Sequence, residues 1–196
     1  AQDYDLYLKI VEKTKNIYHI PKILYHWRKI PGSTSMTIDN KNYAIKASIT
    51  SINSALKRRN IAGHAELDEK SCYYKVVYDL PKKLPLVSII IPLKDYADIT
   101  RNCLSSIYEN TTYKNFEIII MNNNSVEKST FELFDEYRNK YKNFKVIDAN
   151  YEFNYSKINN EAVMKSKGDY ICLLNNDTEI ITPNWIEIML GYAMQN

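Results

Sequence analysis

Two side-chain amides and a carboxylate, Asn175-Asn176-Asp177, stand directly after the apolar run Tyr170 to Leu174. Such a run reads as a strand, and open parallel sheets bind ligands at the C-terminal ends of their strands. A lone carboxylate beside two amides, followed by a helix started at Pro183, suits one divalent cation, Mn²⁺ or Mg²⁺, held against a diphosphate. The cation, more than the protein, would then neutralise the phosphates. The same residues also make ordinary turn and helix-entry chemistry, because Asn, Asp and Thr all favour caps.

Two further polar sets follow apolar runs. Lys94-Asp95 comes after Leu86 to Ile91, a run ended by Pro92, and Asn122-Asn123-Asn124-Ser125 comes after Phe116 to Met121. Both runs read as strands buried on two faces. Between them Ile99, Cys103, Leu104, Ile107 and Tyr108 recur at helical spacing, and Phe131, Phe134, Tyr137 and Tyr141 repeat the pattern ahead of a short strand, Phe144 to Ile147. A helix over Ser156 to Lys165 precedes the Tyr170 strand. This alternation is the rhythm of right-handed βαβ crossovers and predicts an α/β class over residues 86–196, with an open, mostly parallel sheet and flanking helices. The three polar sets would converge on one edge of that sheet.

Only four glycines occur, at positions 32, 63, 168 and 191. Neither a Gly-rich dinucleotide turn nor a Walker-type phosphate loop can be assembled from them, which removes NAD-linked oxidoreductases and P-loop NTPases. A nucleotide bound here would rely on side chains and a metal.

The first 85 residues read differently. Asp3 and Asp5 open a helix carrying Leu6, Ile10 and Val11, and acids there complement the helix dipole. Asn16 to Ile20 and Ile23 to Arg28 read as short extended segments broken by Pro21, and Pro31-Gly32-Ser33 as a turn. Residues 41–61 have helical spacing, with Lys57-Arg58-Arg59 as a solvated end, and residues 62–84 are mixed linker and strand, with Cys72 to Tyr78 a candidate edge strand. Pro81 to Pro85 marks a boundary. Charge divides there: residues 1–85 hold 15 basic and 8 acidic side chains, the remainder 11 and 15.

A net charge of +3 is too small to argue for nucleic-acid binding, and 45% hydrophobic content over 196 residues allows one or two cores. Three cysteines, Cys72, Cys103 and Cys172, fall within strand or helix patterns, which favours reduced thiols and a cytoplasmic setting. No apolar run approaches the roughly 20 residues a spanning helix needs. Peripheral contact at the inner face of a membrane through the basic amino-terminal half stays open. The seventeen tyrosines fall mostly at core periodicities.

Taken together, Pro85 to Pro92, Phe116 to Ser125, and Lys167-Gly168-Asp169-Tyr170 leading into Asn175-Asn176-Asp177-Thr178 resemble, in order and spacing, the family-2 glycosyltransferases of the GT-A fold. The resemblance implies that residues 85–196 are the nucleotide-sugar-binding half of such a fold. It implies donor-site roles for Pro92, Lys94, Asp95, Asn122, Asn123, Asn160, Asn175 and Asn176. Asn123 would sit where the family reads a pyrimidine base edge, and Asp177 would match the metal-binding carboxylate of the DXD motif. Two departures stand out: amides replace carboxylates at 122 and 123, leaving a group that can donate and accept, and Asn175 replaces the motif's first aspartate, which lowers the charge around the cation.

Gln2 through Arg28 to Ser33 resembles the C-terminal end of the same catalytic domain. There Asp3 would be the general base for the acceptor hydroxyl, His26 would lie near the metal or diphosphate, and Arg28 would offset leaving-group charge. The expectation is therefore a piece of a tandem enzyme: residues 1–40 finish one glycosyltransferase domain, 41–84 are a helical connector and linker, and 85–196 begin a second. The implied reaction is inverting sugar transfer from a UDP- or dTDP-linked donor to a carbohydrate acceptor, in bacterial surface polysaccharide synthesis. Asp3 and Asp177 would then serve different domains, unless exchange between copies in a homo-oligomer joins them. A non-catalytic α/β docking module derived from such an enzyme and a nucleotidyltransferase are the alternatives.

Overall fold

The computed structural model describes residues 2–26, 42–68, 71 and 73–195. Arg28 and Cys72 lie outside the described residues. The chain forms two compact units, Ala1–Asp79 and Leu80–Asn196.

The first unit contains α1 (Gln2–Val11), α2 (Asn42–Arg58), β1 (Gly63–Asp68) and β2 (Tyr73–Tyr78). On α2, Ile52, Ala55 and Leu56 recur one helical turn apart and are buried, and Ile52 and Leu56 pack with Ala65 of β1. Leu8 of α1 and Tyr74 and Val76 of β2 close the cluster. The two strands form an antiparallel hairpin, from Gly63 opposite Tyr78 to Asp68 opposite Tyr73. The amino-terminal part is thus mainly helical, with helices of 10 and 17 residues, and carries one hairpin beside them. Gly63 has φ +152°, and a Cβ there would lie 2.5 Å from the Val77 carbonyl oxygen, so the position requires glycine. Glu12 receives both Nε and Nη2 of Arg58 at 2.8 Å, a bidentate pair whose guanidinium holds the carboxyl below its ordinary range. Residues 14–26 form no helix or strand, so the expected extended segments are unpaired over their described residues, with Ile17, Tyr18, Ile20, Ile23, Leu24 and Tyr25 exposed.

The second unit runs β3 (Val87–Leu93), α3 (Ala97–Asn110), β4 (Phe116–Asn122), α4 (Lys128–Lys140), β5 (Phe144–Asp148), α5 (Tyr155–Lys165), β6 (Tyr170–Leu173) and α6 (Trp185–Ala193). Its four strands stand in the order β5-β4-β3-β6, and every pairing is parallel. Ile89, Ile91, Ile118 and Ile120 face a core that includes Leu104 and Ile107 of α3, Leu133 and Phe134 of α4, and Ile186 and Leu190 of α6. Ile90, Ile119 and Met121 face Ile158 and Ala162 of α5. Both faces are covered, which is why the two central strands read as unbroken apolar runs. Each fully buried isoleucine contributes about 1.5–3 kcal/mol by leaving water.

The N-terminal edge of the sheet is bolted together. Ser88 Oγ donates to Glu117 Oε1 at 2.6 Å, the Lys167 amide donates to the same oxygen at 2.7 Å, and the Gly168 amide donates to Ser88 Oγ at 2.9 Å. A Cβ on Gly168 would lie 2.5 Å from Ser88 Oγ, so this close approach of backbone to strand needs glycine.

Strand β3 continues through Pro92 to Leu93, where the sequence predicts an end at Pro92. Even-numbered residues of β3 turn their backbone toward β6, since Leu86 and Ile90 carbonyls accept from Tyr170 and Leu174. Leu93 instead bonds toward β4, accepting from Asn123. Pro92 therefore presents its missing N–H to the β6 side, where β6 has already ended opposite Ile90. Proline is tolerated because no ladder bond is lost. The helix expected at Pro183 begins at Trp185, and Pro183 and Asn184 form its entry turn.

Candidate functional site

The chain leaves β3 to build β4 and then β5 on one side, and returns to build β6 on the other. The order reverses between β3 and β6, and such a reversal opens a crevice at the C-terminal edge because the connections depart in opposite directions. Lys94, Asp95, Asn122, Asn123, Asn175, Asn176 and Asp177 all lie at that edge, at or just beyond strand ends. Pro92 is the last but one residue of β3. Asp3 and His26 lie in the other unit: Asp3 is exposed in the first turn of α1, and His26 is exposed outside any helix or strand.

The edge residues divide by what their side chains already hold. Asp95, at φ 57°, is buried, and its Oδ1 accepts the backbone amides of Val126 and Glu127 at 2.8 Å each. Its own amide donates to Ser125 Oγ at 2.9 Å. Asn122 donates through Nδ2 to Asp148 Oδ1 at 2.8 Å and accepts the Ser125 amide on Oδ1 at 3.2 Å. These two side chains, expected at the ligand, fasten the β3, β4 and β5 ends to one another.

Asn123 is different. Its Nδ2 donates to the carbonyl oxygens of Ala149 at 2.7 Å and Tyr151 at 2.9 Å, using both amide hydrogens. The side-chain Oδ1 has no hydrogen-bond partner among the described residues and is not among the buried unpaired atoms. Where the sequence suggests a group that donates and accepts, the fold leaves an acceptor alone. Asn124, at φ 58°, donates to the same Tyr151 carbonyl at 2.8 Å.

Beyond β6, the turn is fixed from below. Asn176 Nδ2 donates to Thr100 Oγ1 at 3.1 Å, Thr178 Oγ1 donates to the Asn175 carbonyl at 2.9 Å, and the Ile180 amide donates to Ser106 Oγ at 2.9 Å. Asn175 and Asp177 side chains are exposed, and Asp177 has no hydrogen bond or ion pair among the described residues. Burial pushes the Cys103 thiol up, the Thr178 hydrogen bond draws it partly back, and the nearby Asp177 carboxylate adds to the rise. Lys94 is exposed and forms no ion pair among the described residues.

No group of three or more His, Cys, Asp or Glu side chains able to hold a metal occurs among the described residues. The donor set is one free carboxylate beside exposed amide oxygen, which fits a hard cation that draws its remaining ligands from phosphate and water. On α5, Asn160 is exposed, whereas its neighbour Asn159 is buried with Nδ2 donating to the Tyr155 carbonyl at 2.8 Å and Oδ1 unpaired. The sequence alone singles out neither Asn159 nor Thr100, Ser106 and Asn110 of α3, and places Cys103 only in the helical repeat and among the reduced thiols. The available signal was polar residues recurring on an otherwise apolar helical face.

Residues 88–196 match the family described as Glycosyl transferase family 2. Over 198 residues the chain is 36% identical to an uncharacterized protein, y4gI, of Sinorhizobium fredii, covering 100% of this chain and 22% of that protein. It is 31% identical over 196 residues to the O-antigen biosynthesis protein RfbC of Myxococcus xanthus, again covering 100% of this chain but 15% of the relative. The chain thus spans less than a quarter of the length of these relatives. Among solved structures, a mannosyltransferase of Pyrobaculum calidifontis in complex with GDP-Man and Mn²⁺ superposes with a TM-score of 0.54 at 15% identity, over 61% of this chain and 35% of that one. That likeness speaks to the fold.

Proposed function

The chain belongs to glycosyl transferase family 2, and from that premise we propose that it takes part in transferring a sugar from a nucleotide-sugar donor to a carbohydrate acceptor, with inversion, in the synthesis of a polysaccharide. The observation that carries the reading is the free carboxylate of Asp177, exposed beside the strand-order reversal of a parallel sheet. A relative that acts in O-antigen biosynthesis and a neighbour solved with GDP-Man and Mn²⁺ support it.

On this reading Asp177, with Asn175 and Asn176 beside it, would hold a divalent cation. When bound, that cation supplies charge neutralisation at the donor diphosphate. Asn123 offers Oδ1 to an imino N–H of the base, which among the pyrimidines uracil and thymine carry at N3 and cytosine lacks, and with the pyrimidine that the family resemblance implies our reading is a UDP- or dTDP-linked donor. Lys94 adds positive charge, while Pro92 and Asn160 border the nucleotide. Asp95 and Asn122 support the pocket from behind. Asp3 takes the proton from the acceptor hydroxyl, with His26 and Arg28 near the departing diphosphate of its own site. Asp3 and Asp177 sit in separate units, and we assign them to separate catalytic domains.

Calorimetry tests the reading. UDP or dTDP is expected to bind with a Mn²⁺-dependent gain that Asp177→Ala removes. A folded chain that binds neither nucleotide under any condition defeats it, and binding unaffected by Asp177→Ala favours a docking module instead.

A further inference from the structure

Helix α3 does more than fill the core beneath β3 and β4. Four of its polar side chains meet the segment from Asn175 to Ile180 in succession. Thr100 Oγ1 accepts from Asn176 Nδ2 at 3.1 Å. Cys103 Sγ donates to the Asn175 carbonyl at 3.7 Å and lies 3.6 Å from Thr178 Oγ1. Ser106 Oγ accepts the Ile180 amide at 2.9 Å, and Asn110 Nδ2 donates to the Ile180 carbonyl at 2.7 Å. Steps of three and four residues keep these groups on one stripe of the helix.

Thr100, Cys103 and Ser106 are buried, at 1%, 1% and 6% exposure. Buried hydroxyls on a core-facing stripe are tolerated when they are hydrogen-bonded, and here the partners are the backbone and side chain of the turn after β6. Asp177 stands in the middle of that clamped segment with its own carboxylate unpartnered among the described residues. The helix also starts directly after Asp95 and Tyr96, and Asp95 is latched to the loop after β4. One rigid element therefore ties the loop after β3, the loop after β4 and the turn after β6 into a single frame.

We propose that Thr100, Cys103 and Ser106 are positioning residues that hold the Asn175–Ile180 turn so that Asp177 meets a divalent cation bridged to a nucleoside diphosphate without first being ordered. The inference rests on the reading of Asp177 as the carboxylate for that cation. A turn already fixed gives up little conformational freedom when the ligand arrives, so its contribution to binding is retained.

The test uses the full chain and Thr100→Val, which keeps the side-chain shape and removes the acceptor for Asn176, with Thr100→Ser as the conservative control. Two quantities are read: the gain in UDP affinity on adding Mn²⁺, by calorimetry, and hydrogen exchange of the Asn176–Ile180 amides without ligand. The valine variant is expected to lose about fivefold of the metal-dependent gain, the loss of one hydrogen bond. It should also exchange faster in that segment and leave metal-free UDP affinity unchanged, and serine should restore both quantities. An undiminished metal-dependent gain in the valine variant overturns the proposal. Should that variant fail to fold, Ser106→Ala takes its place, with the same two quantities measured and the same results supporting or overturning the proposal. If Asp177→Ala and the unmodified chain respond alike to Mn²⁺, the reading of Asp177 fails and takes this inference with it. If Asp177→Ala abolishes the response while the α3 variants preserve it, only the inference falls.

Discussion

The Asp95 carboxylate accepts the backbone amide of Val126 at 2.8 Å, across 31 residues of chain, and the same oxygen takes Glu127 at 2.8 Å. A charged acceptor serving two amides ahead of α4 is a structural latch, even though its place after β3 suggests a ligand group. Asp95→Ala leaves two part-buried amides without their partner and is expected to destabilise the Leu80–Asn196 unit by about 1–3 kcal/mol. Urea unfolding measures this, and a shift below about 0.5 kcal/mol would mean that water replaces the carboxylate without loss.

Base selection should follow from the acceptor-only state of Asn123. With Nδ2 committed to Ala149 and Tyr151, UDP is expected to bind at least about tenfold more tightly than CDP, because the cytosine N3 lone pair would face Oδ1. Competition calorimetry reads the ratio, and equal affinity would remove Asn123 from base recognition. Asn123→Asp should destabilise the fold, since a carboxylate would replace a donor facing two carbonyl oxygens.

Gly168→Ala pushes a methyl group to 2.5 Å from Ser88 Oγ and 2.6 Å from the Ser88 nitrogen. The expected loss is about 1–3 kcal/mol. Ser88→Ala in the same chain should not restore stability, because the backbone nitrogen remains in the way. Full rescue in urea unfolding would place the conflict on the hydroxyl alone.

Burial raises the Cys172 thiol to about 11 from its ordinary 9.0. Folding then favours the protonated form. The unfolded chain loses this proton first, so the contribution is complete below pH 9.0 and declines as pH rises toward about 11. Stability should fall more steeply over that interval in the unmodified chain than in Cys172→Ala, by urea midpoints taken at several pH values. Parallel slopes would show that the thiol is hydrated in the folded state.

Much of the second unit is legible in the residues themselves. The isoleucine runs of β3 and β4 lie between two helical layers, so burial on both faces writes itself as continuous hydrophobicity. The hairpin of β1 and β2 is harder to see, because Gly63-His64-Ala65-Glu66-Leu67-Asp68 lacks β-branched residues and is held by pairing with Tyr73–Tyr78. At the edge, strand ends reveal which polar residues gather but not how each is employed. Asn122 and Asn123 are the same residue type side by side, and only long-range partners separate the one bonded to Asp148 from the one retaining a free oxygen. The stripe on α3 is hidden for a related reason: Thr100 and Ser106 match a turn more than 70 residues away, as the separations of 76 and 74 show.

Pro92 carries a consequence of its own. A polypeptide pairing with β3 beyond the end of β6 would find no hydrogen to grasp at that rung, so backbone pairing in the gap beside β3 lacks one bond of its ladder. The vacancy is guarded by the imino-acid ring itself, and repacking the surrounding side chains would not erase it.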